Sequence, residues 1–451
     1  MRRGAFFLIA ALTVAGGVRA EHLELDPAVA DHILEIRAMD PQRRDDAFSK
    51  MGGSSVASKA FLQCFATQFV DLGDRTELAE TIDYFNAAPR SSFSRPSEAA
   101  GVSWNLRYVL GGRPANFRQE LAATEARWAL VLFGGNDAQN ENERVYLKRL
   151  VYLVEQLEEM GVVPILGSAM PRRSAHKNRW IHRFNLITEA VAKHWNLPYI
   201  DYHAALSALP RKGLARDGVH PNVLPPGGYQ SSCQLTDEGL RYGNNVRNLL
   251  TLEMLDTLRR LVDADADADA GSRARRAKPG ANAPPSPKGA EGGLRAGAGG
   301  SDVARPLTLN ADAVTDAGAA PVTAPVTAPV TALAPDPFPI SALVDKAALP
   351  LAGPLPKSCG PTERGSRHYA AELSLVERTR LRASALDLDG HKSRVLLVRH
   401  DEETGERRCV RRRSETLELD ASPGTWELIV EVPEKAAEEG QMLILIAREP
   451  R

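Results

Sequence analysis

The first half of the chain predicts an α/β fold of three layers, a parallel sheet with helices on both faces (α/β/α). Strand-like and helix-like stretches alternate between about residues 21 and 262. The segment 128–133 is continuously apolar, as expected of a strand that is buried on both faces. Short polar or glycine-rich blocks lie at or near strand ends. Ligand sites in such sheets lie beyond the carboxyl ends of the strands.

The individual elements follow from capping residues and hydrophobic spacing. Asp26 and Pro27 are typical of a helix N-cap and a first helical residue, so a helix is expected to begin there. An apolar stripe at helical spacing precedes Gly161, which is expected to end that helix. The other predicted elements are strands 47–51, 128–133 and 162–166, helix 181–195, a strand entered through 197–199, and a helix that Thr236 caps and that runs to about residue 262.

The overall composition is that of an ordinary globular protein. Of 451 residues, 43% are hydrophobic and 25% are charged, and the formal net charge is -1. The length suggests two or three domains. A nearly neutral chain has no global field that attracts nucleic acid or anionic lipid, so nucleic acid is not expected as a partner.

The N-terminus has the pattern of a secretory signal. Two arginines at positions 2 and 3 precede a mostly apolar run over 5–15 and a small-residue end at Ala20. Cleavage is expected near Ala20, which predicts a secreted, periplasmic or extracellular protein with no stable membrane insertion after cleavage. The alternative is an uncleaved anchor, although the run is short for a bilayer span.

Four cysteines fit an exported, oxidising setting. The simplest connectivity is one disulfide in each domain, Cys64–Cys233 and Cys359–Cys409, with free buried thiols as the alternative. Four cysteines allow three pairings, and the sequence does not choose among them. The chain has no Cys-x-x-Cys or His-rich cluster, so neither a metal nor a cofactor is expected.

Composition predicts further segments after a signal peptide at 1–20 and an α/β domain at 21–262. Residues 263–352 are rich in Pro, Ala and Asp and are expected to form a disordered linker. Residues 353–451 predict a small all-β sandwich, a candidate for binding a surface or a protein partner. Its predicted strands are 395–400, 416–419, 425–432 and 442–447, and the arginine cluster at 407–413 is expected to be a solvated strand edge.

Two blocks of the α/β domain carry a candidate nucleophile and an oxyanion donor. Lys50–Ser55 (KMGGSS) places Ser54 and Ser55 on a glycine turn, and either hydroxyl could attack an ester from chemistry alone. In Phe133–Asp137 (FGGND), the Asn136 amide can donate to an oxyanion without adding charge. The alternatives are a helix cap for the serines and an ordinary strand-exit turn for the second block, in which Asp137 is expected to be structural.

A third block, Arg216–Asn222 (RDGVHPN), carries a candidate base. Asp217 stands three residues before His220, so its carboxylate can hold one ring nitrogen while the other accepts the serine proton. The basic stretch 171–179 is expected to be a solvated loop rather than a wall of the cleft.

Together these blocks resemble the SGNH/GDSL hydrolase superfamily. Lys50–Ser54 resembles its first block, Ala99–Ser103 its second, and Gly134–Asp137 its third. Asp217 and His220 match the Asp-x-x-His of its fifth block. The resemblance covers about residues 47–262 and implies a three-layer α/β fold with metal-independent esterase or lipase activity. The C-terminal domain weakly resembles the small β-sandwich appended to secreted bacterial hydrolases.

The resemblance also implies roles for single residues. It makes Ser54 the nucleophile, with Asp217 and His220 as its partners, and it implies an oxyanion hole built from Ser54, Gly101 and Asn136. The chain departs from the family pattern at Gly53, where the first block usually has Asp. That Asp is not one of the three reacting residues, and its loss is expected to loosen the turn.

The leading interpretation is a secreted serine hydrolase that cleaves carboxylic esters of a lipid or an O-acylated carbohydrate. One alternative is a catalytically degenerate hydrolase-fold protein that binds a ligand or acts at the cell surface. Another is a surface protein whose C-terminal sandwich carries the function. The hydrolase is favoured by the joint presence of four polar residues, since a binding protein has no chemical need for all of them. These residues are Ser54, Asn136, Asp217 and His220.

Overall fold

The computed structural model describes residues 25–140, 142–277, 340–346, 351–360, 366–375, 377–389, 391–401, 404–414, 416–433 and 440–450. The predicted signal segment and most of the predicted linker lie outside these residues. Within them, no helix combines the length and the apolar character that a bilayer span requires.

The α/β domain alternates strands and helices as the sequence predicts. Its helices are α1 (Pro27–Met39), α2 (Ser54–Ala57), α3 (Ala79–Asn86), α4 (Leu106–Val109), α5 (Asn116–Thr124), α6 (Glu143–Glu159), α7 (Ala175–His194), α8 (Tyr202–Ser207) and α9 (Gly243–Ala277). Its strands are β1 (Arg44–Gly52), β2 (Ala126–Leu132), β3 (Val163–Gly167) and β4 (Tyr199–Ile200).

These four strands form one parallel sheet in the order β1-β2-β3-β4. Nearly every residue of β2 and β3 is buried, which requires cover on both faces and confirms the three-layer arrangement. Beyond β1, Ala100 makes a single parallel bridge with Gly52. The loop that contains the second block therefore lies beside the carboxyl end of β1, next to the first block.

The start of the last helix differs from the prediction. Thr236 does cap a turn, since its Oγ1 accepts from the N–H of Gly239 at 3.3 Å, but the turn is a short 3₁₀ segment that ends at Arg241. Tyr242 is extended, and α9 begins only at Gly243. The helix then runs to Ala277, into the range predicted as linker.

The C-terminal domain is a sandwich of two antiparallel sheets. Its strands are β5 (Ile340–Asp345), β6 (Ser366–Leu375), β7 (Thr379–Asp387), β8 (Arg394–His400), β9 (Arg407–Ser414), β10 (Thr416–Ala421), β11 (Gly424–Pro433) and β12 (Gln441–Pro450). The sheet orders are β10-β7-β12-β5 and β6-β11-β8-β9. The arginine-rich strand β9 is thus an edge strand, as predicted.

Strand β5 lies inside the range predicted as linker. It pairs with β12 from Ile340 opposite Ile446 to Asp345 opposite Gln441. This six-residue strand adds an edge to a sheet whose other strands come much later in the chain. The sequence around β5 is rich in Pro and Ala, so its composition predicts a linker. A short strand is stabilised by pairing with another strand, which local composition does not reveal.

Lys50 is buried in β1, where its Nζ donates to the carbonyl of Phe93 at 2.7 Å. Burial lowers the pKa of Lys50 from its ordinary value of 10.5 to about 8, while Glu120 and Arg95 act in opposite directions. Below about pH 8 the lysine is charged in both the folded and the unfolded protein. Between that pH and 10.5 the folded protein loses the proton first, so stability rises with pH in this window.

We therefore expect a Lys50→Met variant to lack this rise. From pH 7.5 to pH 10 the free energy of unfolding of the unmodified protein should increase by roughly 2 kcal/mol relative to the variant. Urea unfolding at both pH values measures the difference. Parallel pH dependences in the two proteins would show that Lys50 is not titrating in this range.

Both predicted disulfides are present. Cys64 and Cys233 are joined with 5.7 Å between their Cα atoms, and Cys359 and Cys409 with 4.9 Å. The first bridge connects two 3₁₀ segments, Gln63–Ala66 shortly after β1 and Tyr229–Cys233. It closes a loop with a sequence separation of 169 residues through a fully buried site.

Removing the Cys64–Cys233 bridge should destabilise the α/β domain by about 2–5 kcal/mol, because a long loop loses much of its entropy when it is closed in the unfolded chain. The Cys64→Ser/Cys233→Ser variant is compared with Cys359→Ser/Cys409→Ser by urea unfolding, followed by tryptophan fluorescence. The control pair should leave the α/β transition in place. An unchanged α/β transition in the first variant would refute the prediction.

Candidate active site

Ser54 is the first residue of α2, immediately beyond the carboxyl end of β1. Its Oγ lies 2.8 Å from Nε2 of His220. The neighbouring Ser55 has a different contact, since its backbone carbonyl accepts from Arg247 Nη1 at 3.3 Å. Of the two serines that chemistry left open, the geometry therefore favours Ser54 as the attacking hydroxyl.

Asp217 and His220 form a short hydrogen-bonded unit within one loop. His220 Nδ1 lies 2.7 Å from Asp217 Oδ2, and Asp217 Oδ1 accepts from the N–H groups of Val219 and His220 at 2.9 and 3.0 Å. A carboxylate at Nδ1 favours the tautomer with the proton on that nitrogen, which leaves Nε2 to accept from Ser54. Both side chains are nearly half exposed, so solvent and substrate can reach them.

The charge state of Asp217 is fixed by its hydrogen bonds. Desolvation opposes its ionisation, but the hydrogen bonds from His220 and from the backbone of Val219 and His220 outweigh this and lower the pKa of Asp217 to about 2. A lowered carboxyl pKa means that the charged form persists at every pH above that value. Asp217 is thus ionised throughout the range in which an imidazole can serve as a base.

Two arginines of the basic stretch hold this loop in place. Arg172 Nη1 donates to the carbonyl of Val219 at 2.9 Å, and Arg173 donates to the carbonyls of Ala215 and Arg216, both at 2.8 Å. The expectation of a solvated loop is therefore wrong for Arg172, which is buried. The carbonyl of Val219 that accepts from Arg172 lies 47 residues away along the chain, so the local sequence gives no sign of this contact.

Asn136 lies at the end of β2, where the third block faces the first. Its Nδ2 donates to the carbonyl of Trp104 at 2.8 Å, and its Oδ1 accepts from Gln139 Nε2 at 3.2 Å. One hydrogen of the Nδ2 amide remains for another acceptor. Asp137 is buried and accepts from the N–H groups of Leu106 and Gly134 at 3.0 and 3.1 Å, so its role is structural, as expected.

Gly101 does not have the environment that its implied role requires. Its N–H donates to the carbonyl of Gly52 at 3.1 Å and is therefore occupied. The residue is a glycine for another reason: a Cβ at this position would lie 2.4 Å from Nε1 of Trp104. By contrast, the N–H of Ser54 begins α2 and has no acceptor among the described residues, as is usual in a first helical turn.

The departure at Gly53 also has a steric explanation. Gly53 has extended backbone angles that any residue can adopt, so conformational freedom is not what the position needs. A Cβ there would lie 2.8 Å from Nδ2 of Asn136 and 3.2 Å from the carbonyl of Trp104. The missing side chain makes room for the Asn136 amide. That the glycine loosens the turn stays a prediction.

A cavity of about 50 Å³ opens beside Ser54. Besides the residues already discussed, sequence reasoning missed several of its lining side chains. They are Trp104, Leu132, Met170, Tyr202 and Arg247. They come from loops, helices and the end of β2 and belong to no block, so only the folded chain brings them together.

The described residues contain one group that could share a metal ion, and it lies in the sandwich. Asp387, Asp389 and His391 place ligand atoms close together. Lys346 Nζ pairs with each of the two carboxylates at 2.9 Å. Because a lysine ammonium neutralises these carboxylates, the group is better described as an ion-pair cluster.

Comparison with known proteins gives a family and a set of similar structures. Residues 72–224, which include Asn136, Asp217 and His220, match the GDSL-like Lipase/Acylhydrolase family. No curated protein matches the chain in sequence. An acetylxylan esterase from Geobacillus stearothermophilus is 14% identical, with 46% of this chain and 93% of that chain covered and a TM-score of 0.32. A GDSL-like lipase from Bacteroides thetaiotaomicron is 16% identical, with 51% and 98% covered and a TM-score of 0.31.

Proposed function

We infer that the chain, which carries a GDSL-like lipase/acylhydrolase domain, hydrolyses carboxylic esters with Ser54 as nucleophile, His220 as general base and acid, and Asp217 as the group that orients the imidazole. One observation carries the proposal. The atoms Ser54 Oγ, His220 Nε2, His220 Nδ1 and Asp217 Oδ2 form a continuous hydrogen-bonded chain, with distances of 2.8 and 2.7 Å between the side chains.

The reaction then proceeds in two stages. Ser54 Oγ attacks the ester carbonyl carbon while its proton passes to His220 Nε2, and the imidazolium gives that proton to the departing alcohol. Water then attacks the acyl-serine while its proton passes to His220 Nε2; the bond between the acyl carbon and Ser54 Oγ breaks, Oγ takes the proton back, and the carboxylic acid leaves. Asp217, ionised at these pH values, stabilises the imidazolium that forms in each stage.

The oxyanion of the tetrahedral intermediate needs hydrogen-bond donors beside Ser54. The free N–H of Ser54 and the second hydrogen of Asn136 Nδ2 supply two of them. Gly101 is left out of this proposal, because its N–H is bonded to Gly52. The amide of Asn136 is held from both ends, by Trp104 and Gln139, so little reorganisation is needed as charge develops.

The size of the cavity favours a short acyl group. A cavity of about 50 Å³ holds only a few water molecules, and an acetyl group fits that space better than a fatty acyl chain. We propose short-chain esters, including O-acylated carbohydrates, ahead of long-chain lipids as substrates. The two disulfides support an oxidising setting, and we propose that the protein is exported and works without a metal.

The competing function is a binding protein with a degenerate site. The chain departs from the family pattern at Gly53, but a Cβ at this position would lie 2.8 Å from Nδ2 of Asn136, so the glycine is compatible with a working site. An intact hydrogen-bonded chain at Ser54 is unnecessary for binding. The hydrolase therefore has the better support.

Labelling by a fluorophosphonate probe tests the proposal directly. The unmodified protein and Ser55→Ala should be labelled, whereas Ser54→Ala should not. Hydrolysis of nitrophenyl acetate, butyrate and octanoate, with and without chelator, then gives acyl preference and metal dependence. We expect acetate to react fastest and the chelator to have no effect. Labelling at Ser55, or no hydrolysis above the buffer rate, would refute the proposed function.

A further inference from the structure

Two buried arginines line the same cavity as Ser54. Arg247 is 2% exposed and Arg172 is 9% exposed, and both residues line the cavity. Neither forms a salt bridge with a carboxylate within the part of the chain that the structure describes. A buried charge is costly unless it is paired, so an unpaired guanidinium at a reaction site needs an explanation.

The contacts of Arg172 explain why this arginine is buried beside the cavity. It donates to the carbonyl of Val219 at 2.9 Å and to that of Gly135 at 3.4 Å, which ties the loop of His220 to the loop of Asn136. Burial lowers the pKa of Arg172, and the nearby ionised Asp217 offsets part of this effect. The position of Arg172 is therefore accounted for by the architecture of the site.

Arg247 is far less well satisfied. Its Nη1 makes two long hydrogen bonds, 3.3 Å to the carbonyl of Ser55 and 3.4 Å to Asn244 Oδ1, and its Nε has no acceptor among the described residues. The guanidinium lies over the rings of Phe61 and Tyr202, at 4.3 and 5.4 Å from their centroids. Burial lowers the pKa of Arg247 to about 10, so it is still charged at neutral pH.

The aromatic contacts hold the guanidinium but do not neutralise it. Contact with two rings restricts the position of the group, and the hydrogen bond to the Ser55 carbonyl places it one residue from the nucleophile. A methionine or leucine would fill the same space between the rings without a buried charge. What Arg247 adds is a fixed positive fork beside the ester, the geometry that a carboxylate or a similar oxyanion accepts.

We propose that the preferred substrate is an ester that carries an anionic group close to the scissile bond, and that Arg247 binds this group. The inference rests on the proposed ester hydrolysis at Ser54. The anion belongs either to the acyl part, as in a dicarboxylic hemiester, or to the alcohol part, as in an acylated acidic sugar. In both cases the recognised chemistry is a carboxylate or comparable oxyanion that reaches Arg247 while the ester lies at Ser54.

Matched pairs of esters test this on the unmodified protein. For the alcohol part, para-acetoxybenzoate is compared with para-acetoxybenzamide. For the acyl part, methyl hemisuccinate is compared with methyl succinamate. The members of each pair have nearly the same shape and differ by one negative charge. We expect kcat/KM to favour the charged member by at least ~10-fold in one pair, and that pair tells which part of the substrate carries the anion.

Variants at position 247 then assign the preference to one side chain. Arg247→Met should abolish the preference, so that the charged and neutral members of the pair react with equal kcat/KM, and Arg247→Lys should retain part of it. The control is Arg118→Met, which should keep the full preference. Arg118 is exposed on α5 and contacts Met160 at the far end of the sheet. If Arg247→Met does not fold, competitive inhibition by succinate but not succinamide is measured at constant ionic strength on the unmodified protein and on Arg247→Lys. Weaker inhibition of Arg247→Lys by succinate would assign the preference to position 247, and equal inhibition would contradict the assignment.

Three outcomes would overturn the inference. Equal kcat/KM for the charged and neutral members of both pairs, with Ser54→Ala inactive, would leave the esterase standing and remove the anion preference. An equal loss on charged and neutral esters in Arg247→Met would assign the arginine to oxyanion stabilisation or packing. No hydrolysis of any of the esters would overturn the proposed function and this inference with it.

Discussion

Ser54→Ala and His220→Ala are each expected to lower kcat for nitrophenyl acetate by about 10⁴-fold or more, and the double variant should be little worse than either single one. The reason is that the hydroxyl and the imidazole act as one unit, joined at 2.8 Å. Without the imidazole the serine keeps its proton, and without the serine the imidazole has nothing to activate. Single-turnover kinetics with the acetate ester measures the three rates.

The contribution of Asp217 should appear in the pH profile as well as in the rate. Because the pKa of Asp217 lies at about 2, its carboxylate is charged across the whole working range, and the acid limb of the profile cannot come from its protonation. Asp217→Asn keeps the shape but removes the charge that stabilises the imidazolium, so kcat should fall by about 10²–10⁴-fold.

Two controls separate chemistry from folding. Ser55→Ala changes the neighbouring hydroxyl and should retain most of the activity, and all the variants should unfold at nearly the same urea concentration. Additive losses in the Ser54→Ala/His220→Ala protein would mean that the two residues contribute independently. Activity of Ser54→Ala equal to that of the unmodified protein would rule out the mechanism.

The parts of the site that the sequence predicts correctly depend on residues that are close together in the chain. Asp217 and His220 are three residues apart in one loop, and their hydrogen bond needs little more than that spacing. Asn136 follows an apolar strand that is recognisable by itself. The same holds for the parallel sheet, since buried strands and amphipathic helices each leave a local pattern.

The parts that could not be read depend on contacts between distant segments. Arg172 and Arg247 are ordinary basic residues in sequence, and their burial arises from backbone carbonyls and aromatic rings supplied by other loops. The occupied N–H of Gly101 depends on the bridge between its loop and the end of β1. Strand β5 is defined by its partner β12, about a hundred residues later. The composition around a residue does not predict contacts with such distant segments.

Gly53 shows how the same residue is understood differently once its neighbours are known. The sequence alone predicts that the missing carboxylate loosens the turn. In the structure, the space that a Cβ would occupy lies 2.8 Å from Asn136 Nδ2, an atom that we propose stabilises the oxyanion. The glycine and the asparagine are therefore expected to work as a pair.

This pairing gives the second large effect. Asn136→Ala should lower kcat by about 10²–10³-fold, the usual loss for one oxyanion donor, with little change in KM. Gly53→Ala should lower kcat by about 10–10²-fold, because the new methyl group displaces the amide from its place beside Ser54. Gly53→Asp, which restores the residue more usual at this position in the family, should reduce activity for the same reason.

The double variant decides whether the two effects share one cause. If Gly53→Ala acts by displacing the Asn136 amide, then Gly53→Ala/Asn136→Ala should have nearly the same kcat as Asn136→Ala alone, since the atom that the methyl group meets is gone. Gly353→Ala, whose added methyl group would come no closer than 3.7 Å to another atom, is the matched glycine control and should be fully active. A faster Gly53→Asp enzyme would show that the site lacks a carboxylate it needs. If the loss of kcat in the double variant equals the product of the losses in the two single variants, Gly53→Ala does not act through the Asn136 amide.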